Sequence, residues 1–153
     1  MMKEDLDTAS DRISSFFPST PILLDYHLTK RLGRPTYLKL ENLQATGSFK
    51  VRGALNCMAN LTPELLSRGV VTCSSGNHGR AVATVANMLG VAATVCVPVW
   101  VDSLKLSAIK EKGAEIIVKG KTYDEAERIS LELATERGLT YVHPFDDIKV
   151  IAG

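Results

Sequence analysis

Cysteine is scarce in this chain, and what there is sits among apolar neighbours: Cys57, Cys73 and Cys96 are the only three in 153 residues. So small and odd a set excludes a disulfide framework and predicts reduced, buried thiols that pack as small hydrophobes. No charge sign dominates either. Lys and Arg number 18 against 17 Asp and Glu, a formal net charge of +1. That balance excludes a surface built to grip a nucleic-acid backbone and a self-repelling disordered tail. Uninterrupted apolar runs are missing as well. The stretch 81–101 is long enough to span a bilayer, but Asn87, Gly90 and Pro98 break it into a helix followed by a strand. The opening Met-Met-Lys-Glu-Asp has neither the basic start nor the apolar run of a secretory signal. These absences leave a globular domain, expected in the cytosol, with no nucleic-acid and no membrane partner. A hydrophobic content of 45% supplies one core of ordinary domain size.

The first dozen residues are polar and acidic and predict a frayed or short helical lead. Pro18 and Pro21 mark a turn, and the β-branched and aromatic residues of 36–40 predict a strand. The polar turn 44–48 then opens a helix, in which Val51, Ala54, Leu55 and Met58 fall at i, i+3, i+4 and i+7. Ser48 is its expected cap. Lys50 precedes the stripe and so projects off the apolar face. Beyond it, apolar strands are expected at 70–73, 92–97, 116–118 and 140–142. Helices are expected at 77–89, 102–112 and 122–137, with Gly90, Gly113 and Gly138 following them. Another element should be starting at 150–153. Apolar strands alternating with helices predict an α/β fold: an open, mostly parallel twisted sheet with helices on both faces and right-handed crossovers.

In such sheets ligands bind beyond the carboxyl ends of the strands. The loop there reads Ser74-Ser75-Gly76-Asn77-His78-Gly79. Free backbone N–H groups and the positive end of a helix dipole suit a carboxylate or phosphate, and the glycines permit close approach. An empty strand-to-helix turn is the plainer reading of the same residues. A second segment, Thr46-Gly47-Ser48-Phe49-Lys50, puts an amine at a helix N-terminus. An amine opposed by the dipole has reason to be neutral and nucleophilic toward carbonyls. A solvated lysine is the plainer alternative there too. His27 and His143 have no partner at metal-ligand spacing, so surface or capping roles are expected and no metal site. Trp100 is expected to pack, and Arg52 to pair with a carboxylate or support the lysine.

Together, Glu41-Asn42-Leu43-Gln44-Ala45-Thr46-Gly47-Ser48-Phe49-Lys50-Val51-Arg52-Gly53-Ala54 and the loop 74–79 resemble two segments of the serine/threonine dehydratases and serine racemases. Those are fold-type II (tryptophan-synthase-β-like) pyridoxal-phosphate enzymes. The segments fall in the same order and at the expected distance, and Val150-Ile151-Ala152-Gly153 resembles a later one. The resemblance runs from about Ile13 to the last residue. It implies Lys50 as the Schiff-base lysine for pyridoxal 5'-phosphate and the base toward the substrate Cα proton. It implies Phe49 beside the cofactor ring and Asn77 on its phenolic oxygen. Ser74, Ser75, Gly76, Asn77 and His78 would hold the substrate α-carboxylate.

The activity so implied is an ammonia-lyase (dehydratase) turning L-threonine- or L-serine-like β-hydroxy amino acids into 2-oxo acids and ammonia. The Ser-Val-Lys-Asp-Arg and Thr-Ser-Gly-Asn-Thr of the β-replacement branch are both absent. Ser75 stands where many threonine dehydratases carry Ala, which keeps a catalytic role for its hydroxyl, and serine racemase, open. Ala45 departs from the Pro, Lys or Arg often preceding Thr-Gly-Ser in relatives, against a nucleotide-effector site of the animal-racemase type. The family grips the cofactor phosphate with a run of glycines, and none of the 11 glycines here are adjacent. The resemblance therefore implies an N-terminal portion with little activity alone and a homo-oligomer at full length. Residues 1–60 would be the lysine-bearing part of a large domain, 61–142 a small α/β domain, and 143–153 the return toward the large one. A non-catalytic remnant that binds an amino acid or a partner protein is the remaining alternative.

Overall fold

The computed structural model describes residues 3–153. Helix α1 (Lys3–Ser14) leads into an antiparallel strand pair, β1 (Ile22–Leu24) and β2 (Tyr37–Lys39), with α2 (Tyr26–Leu32) carried between the two. A 3-10 turn at Glu41–Leu43 precedes α3 (Lys50–Met58) and α4 (Pro63–Arg68). Alternation follows: β3 (Val70–Cys73), α5 (Asn77–Leu89), β4 (Ala93–Val97), α6 (Ser103–Lys110), β5 (Glu115–Val118), α7 (Tyr123–Arg137) and β6 (Thr140–Tyr141). Helix α8 (Ile148–Ala152) closes the chain.

The sheet runs β5-β4-β3-β6 with every pair parallel, as uninterrupted apolar strands require when helices cover both faces. Alternate residues sort onto the two faces. Val70, Val95 and Val97 join one core with Val82, Val85 and Ile109 of α5 and α6. Val71, Cys73 and Cys96 are buried outside that cluster, on the face that α7 covers with Ala126. All three cysteines are buried and unbridged, as their settings predict. Helix ends follow local chemistry: Asp102 and Thr122 cap α6 and α7, and Gly90 and Gly138 end α5 and α7 at φ 68° and 67°. The chain steps from β3 through β4 to β5, then crosses back to lay β6 on the other edge of β3. The topological switch, where open α/β sheets bind ligands, therefore lies between β3 and β6.

Two expectations need correction, and a third resolves to one of its two alternatives. The polar lead is the helix rather than a frayed end: Ala9 and Ile13 on α1, and Phe17 after it, are buried against the core that includes α3. Their four-residue spacing is a narrow stripe in otherwise hydrophilic sequence. Ser48 does not cap α3; Phe49 holds that position with no side-chain cap, and the Ser48 hydroxyl is buried without a partner. Trp100 does not pack, being 62% exposed in the loop after β4. The short elements β1, α2 and α4 went unread, although Thr62 capping Pro63 at the start of α4 was a legible signal. Ile22 and Tyr37 on one side of the β1–β2 pair, Leu23 on the other, and Tyr26 on α2 leave apolar surface exposed. No helix among the described residues is long and apolar enough to cross a membrane.

Leu55 in α3 is wholly buried, whereas Leu104 in α6 is 78% exposed. Leu55→Ala should lower the unfolding free energy by about 2–5 kcal/mol. Leu104→Ala should lower it by less than about 0.5 kcal/mol. Urea-denaturation midpoints read both, and equal losses would contradict this core.

Candidate active site

The chain leaving β3 forms the loop 74–76, and the chain leaving β6 forms the segment 142–147; both emerge at the switch. His78, in the first turn of α5, is 3% exposed. Its Nε2 lies 3.2 Å from the Val142 carbonyl oxygen. A carbonyl only accepts, so the proton sits on Nε2 and Nδ1 keeps a lone pair. That Nδ1 is buried with no partner. Burial pushes the imidazole down to about 4, against the Val142 bond, and the nearby Lys50 charge adds to the depression. Neutral imidazole is therefore the working state near pH 7.

Lys50 is the first residue of α3, and its Nζ donates to the Pro144 carbonyl at 2.7 Å. The same Nζ stands 5.4 Å from the centroid of the Phe49 ring. Two carbonyls, two residues apart, thus hold the first turns of α3 and α5 at one place. The intervening His143 has the capping role its context predicts, its Nδ1 accepting from Phe145 N at 3.2 Å and Asp146 N at 2.8 Å. Arg52 takes the carboxylate expected for it, binding Glu41 with two bonds of 2.9 Å each. Glu41 also accepts from the Thr20 hydroxyl at 2.5 Å. The Arg52 guanidinium holds the Glu41 carboxyl below its ordinary range.

Two glycines make the close approaches possible. A Cβ on Gly53 would lie 2.5 Å from the Val150 carbonyl oxygen, and one on Gly79 2.5 Å from that of Ser74. Around these contacts the predicted residues fall into two cavities. Phe49 and Lys50 line one of about 240 Å³ with Gly53, Pro144, Phe145 and Ile151. Ser75, Gly76 and Asn77 line another of about 130 Å³ with Arg80, Lys105 and Ile109. Ser74 and His78 are buried and line neither; the Ser74 hydroxyl accepts from Gly76 N at 3.3 Å. Reasoning from sequence missed Pro144, Gly53, Arg80 and Lys105. Gly53 was within reach, since it lies one helical turn from Lys50.

The family described as pyridoxal-phosphate dependent enzymes matches residues 13–153. The L-threonine ammonia-lyase of Geobacter sulfurreducens is 43% identical over 148 residues, covering 97% of this chain and 37% of that protein. Among solved structures, the processed form of threonine deaminase isoform 2 from Solanum lycopersicum superposes with a TM-score of 0.89. It is 37% identical, over 100% of this chain and 44% of that one. Serine racemase from Dictyostelium discoideum gives 0.90 at 40% identity, over 98% and 49%. The chain spans less than half the length of each of these relatives, and its fold is that of the fold-type II pyridoxal-phosphate enzymes.

The donor set fits that cofactor. An amine stands at a helix start, and two buried polar atoms, Ser48 Oγ and His78 Nδ1, lack partners in its neighbourhood. The amide of Asn77 is exposed at the first turn of α5.

The depressed folded-state value of His78 has a consequence for stability. The unfolded chain binds more protons than the folded one between the ordinary 6.5 and about 4, so acid favours unfolding in that window. The contribution is complete above pH 6.5 and should fall away by about 3 kcal/mol as pH drops to 4. His78→Gln should flatten the slope of urea midpoints measured from neutral pH downward. An NMR titration midpoint for His78 at the ordinary histidine value would overturn the assignment.

Proposed function

The chain belongs to the pyridoxal-phosphate dependent enzyme family, and on that premise we propose that it is the lysine-bearing portion of a dehydratase. Its substrates are L-threonine- and L-serine-like β-hydroxy amino acids, converted to 2-oxo acids and ammonia. One geometric fact carries the proposal: the Lys50 amine and the neutral His78 are tied to carbonyls of one short segment at the switch of the sheet. When bound, pyridoxal phosphate supplies an electron sink that acidifies the Cα–H of an attached amino acid.

Lys50 would hold the cofactor through Nζ, and the same amine, once the substrate's amine has displaced it, would take the substrate Cα proton. The Pro144 carbonyl holds that nitrogen on the cavity that both residues line. Asn77 would orient the cofactor through its amide, and Phe49 would flank its ring. Backbone N–H groups and hydroxyls of Ser74, Ser75, Gly76, Asn77 and His78 take the α-carboxylate. That grip fixes which Cα bond breaks. The His78 imidazole faces Val142, so its part in the grip is through the backbone. Racemisation is the second reading, favoured by the half-buried Ser75 hydroxyl, which would deliver a proton to the opposite face of Cα.

The proposal extends to the division at 60/61 and 142/143 and to a full-length homo-oligomer. The apolar surface exposed on β1, β2 and α2 supports a portion of a larger body over an independent binding module. Within these 153 residues no adjacent glycines grip a phosphate, so the unreduced complex with the cofactor should be weak and dialysable. Borohydride reduction in the presence of pyridoxal phosphate, followed by peptide mapping, should place the adduct on Lys50. Lys50→Ala should remove it. Even labelling across the surface lysines would sink the reading.

A further inference from the structure

Arg80 lies one turn into α5, and its Nε is buried with no hydrogen-bond partner. Its guanidinium reaches toward the turn before α3, where a Cβ on Gly47 would stand 4.0 Å from Nη1. Lys105, from α6, lines the same cavity of about 130 Å³, together with Ser75, Gly76 and Asn77. Neither cation has an acidic partner in the ion pairs of the described residues. Contrast Arg52, Arg68, Arg128 and Arg137, each of which holds a glutamate.

An unmet buried N–H on a charged group is unfavourable, and two like charges on one small cavity repel each other. An oxyanion in the cavity answers both. It would meet the Arg80 guanidinium and face the Lys105 ammonium. Size narrows the class. The cavity holds several times the roughly 30 Å³ share of one water and falls well short of the ~300–1,000 Å³ of pockets for whole drug-sized ligands. A single carboxylate or phosphate group suits it.

We propose that Arg80 and Lys105 hold a small oxyanion, a carboxylate or phosphate group, in this cavity, distinct from the α-carboxylate assigned to the loop 74–78. The anion is either the side-chain carboxylate of an acidic β-hydroxy amino acid or a free ion; only the first source rests on the function proposed above. Recognition of a second carboxylate would shift preference from threonine toward 3-hydroxyaspartate.

The test is amide NMR of the ¹⁵N-labelled chain at constant ionic strength, titrated separately with inorganic phosphate, L-threonine and 3-hydroxyaspartate. Phosphate or 3-hydroxyaspartate should shift the amides of Ala108 and Ile109, and Arg80→Met should weaken that binding by about tenfold. Lys105→Met should weaken it severalfold; this position is exposed, so the variant carries the test even if Arg80→Met fails to fold. Tighter Arg80-dependent binding of 3-hydroxyaspartate than of threonine supports the proposal with the substrate as source. Arg80-dependent binding of phosphate, with the two amino acids binding alike, supports it with a free anion as source. If neither phosphate nor 3-hydroxyaspartate shows binding that depends on Arg80 or Lys105, the proposal is overturned. Failure of the α-carboxylate assignment reads differently: threonine would move no amide of 74–78, while phosphate still moved those around Arg80 and Lys105.

Discussion

Where the chain leaves β6 at the edge of the sheet, the carbonyls of Val142 and Pro144 lie beyond the strand pairing, and side chains meet them instead. The Val142 oxygen accepts from the Thr72 hydroxyl at 2.8 Å and from His78 Nε2 at 3.2 Å; the Pro144 oxygen accepts from Lys50 Nζ at 2.7 Å. A charged donor on a carbonyl is worth roughly twice a neutral one. Removing it would leave a carbonyl unmatched beside the cleft. Everything chemical at this end of the molecule depends on those bonds. They bring together the starts of two helices that belong to separate stretches of chain, and they fix the tautomer of the one histidine buried between them.

That arrangement tolerates little error, because backbone rather than side chain makes the closest contacts. Helix α8 reaches α3 at Gly53, where the Val150 carbonyl would collide with any Cβ, and α5 folds back on its own entry loop at Gly79. The Glu41–Arg52 pair, held further by Thr20, fastens the first turn of α3 to the 3-10 turn before it. Lys50 is thus placed by contacts on three sides: the segment after β6, helix α8, and the approach from β2.

Other reactive groups in the chain are quenched by their surroundings. Burial pushes the Cys57 and Cys73 thiols up to about 12 and Cys96 to about 11. Thiolates, the nucleophilic form, are scarce at such values. Tyr123 is likewise raised to about 12, mainly by burial. No cluster of His, Cys, Asp and Glu suited to a metal occurs among the described residues. What is left for polar chemistry at this end of the sheet is the amine at position 50, the hydroxyl and amide groups of the loop after β3, and the Arg80 and Lys105 side chains on one cavity.

Local pattern alone determined the alternation from Val70 to Tyr141: which segments are strands, which are helices, and where Gly90 and Gly138 stop them. Apolar period and capping chemistry act over a few residues and are written into them. The loop 74–79 and the lysine segment were legible as motifs for the same reason. Tertiary structure alone decided that α1 packs, that Ser48 caps nothing and that Trp100 faces solvent. Those outcomes depend on what lies opposite each residue. It also decided that Lys50 meets a carbonyl 94 residues away and His78 one 64 residues away, and that Arg80 and Lys105 share a cavity. No periodicity reports such encounters, because they are set by the order in which parallel strands join the sheet and by how closely glycine lets two backbones approach.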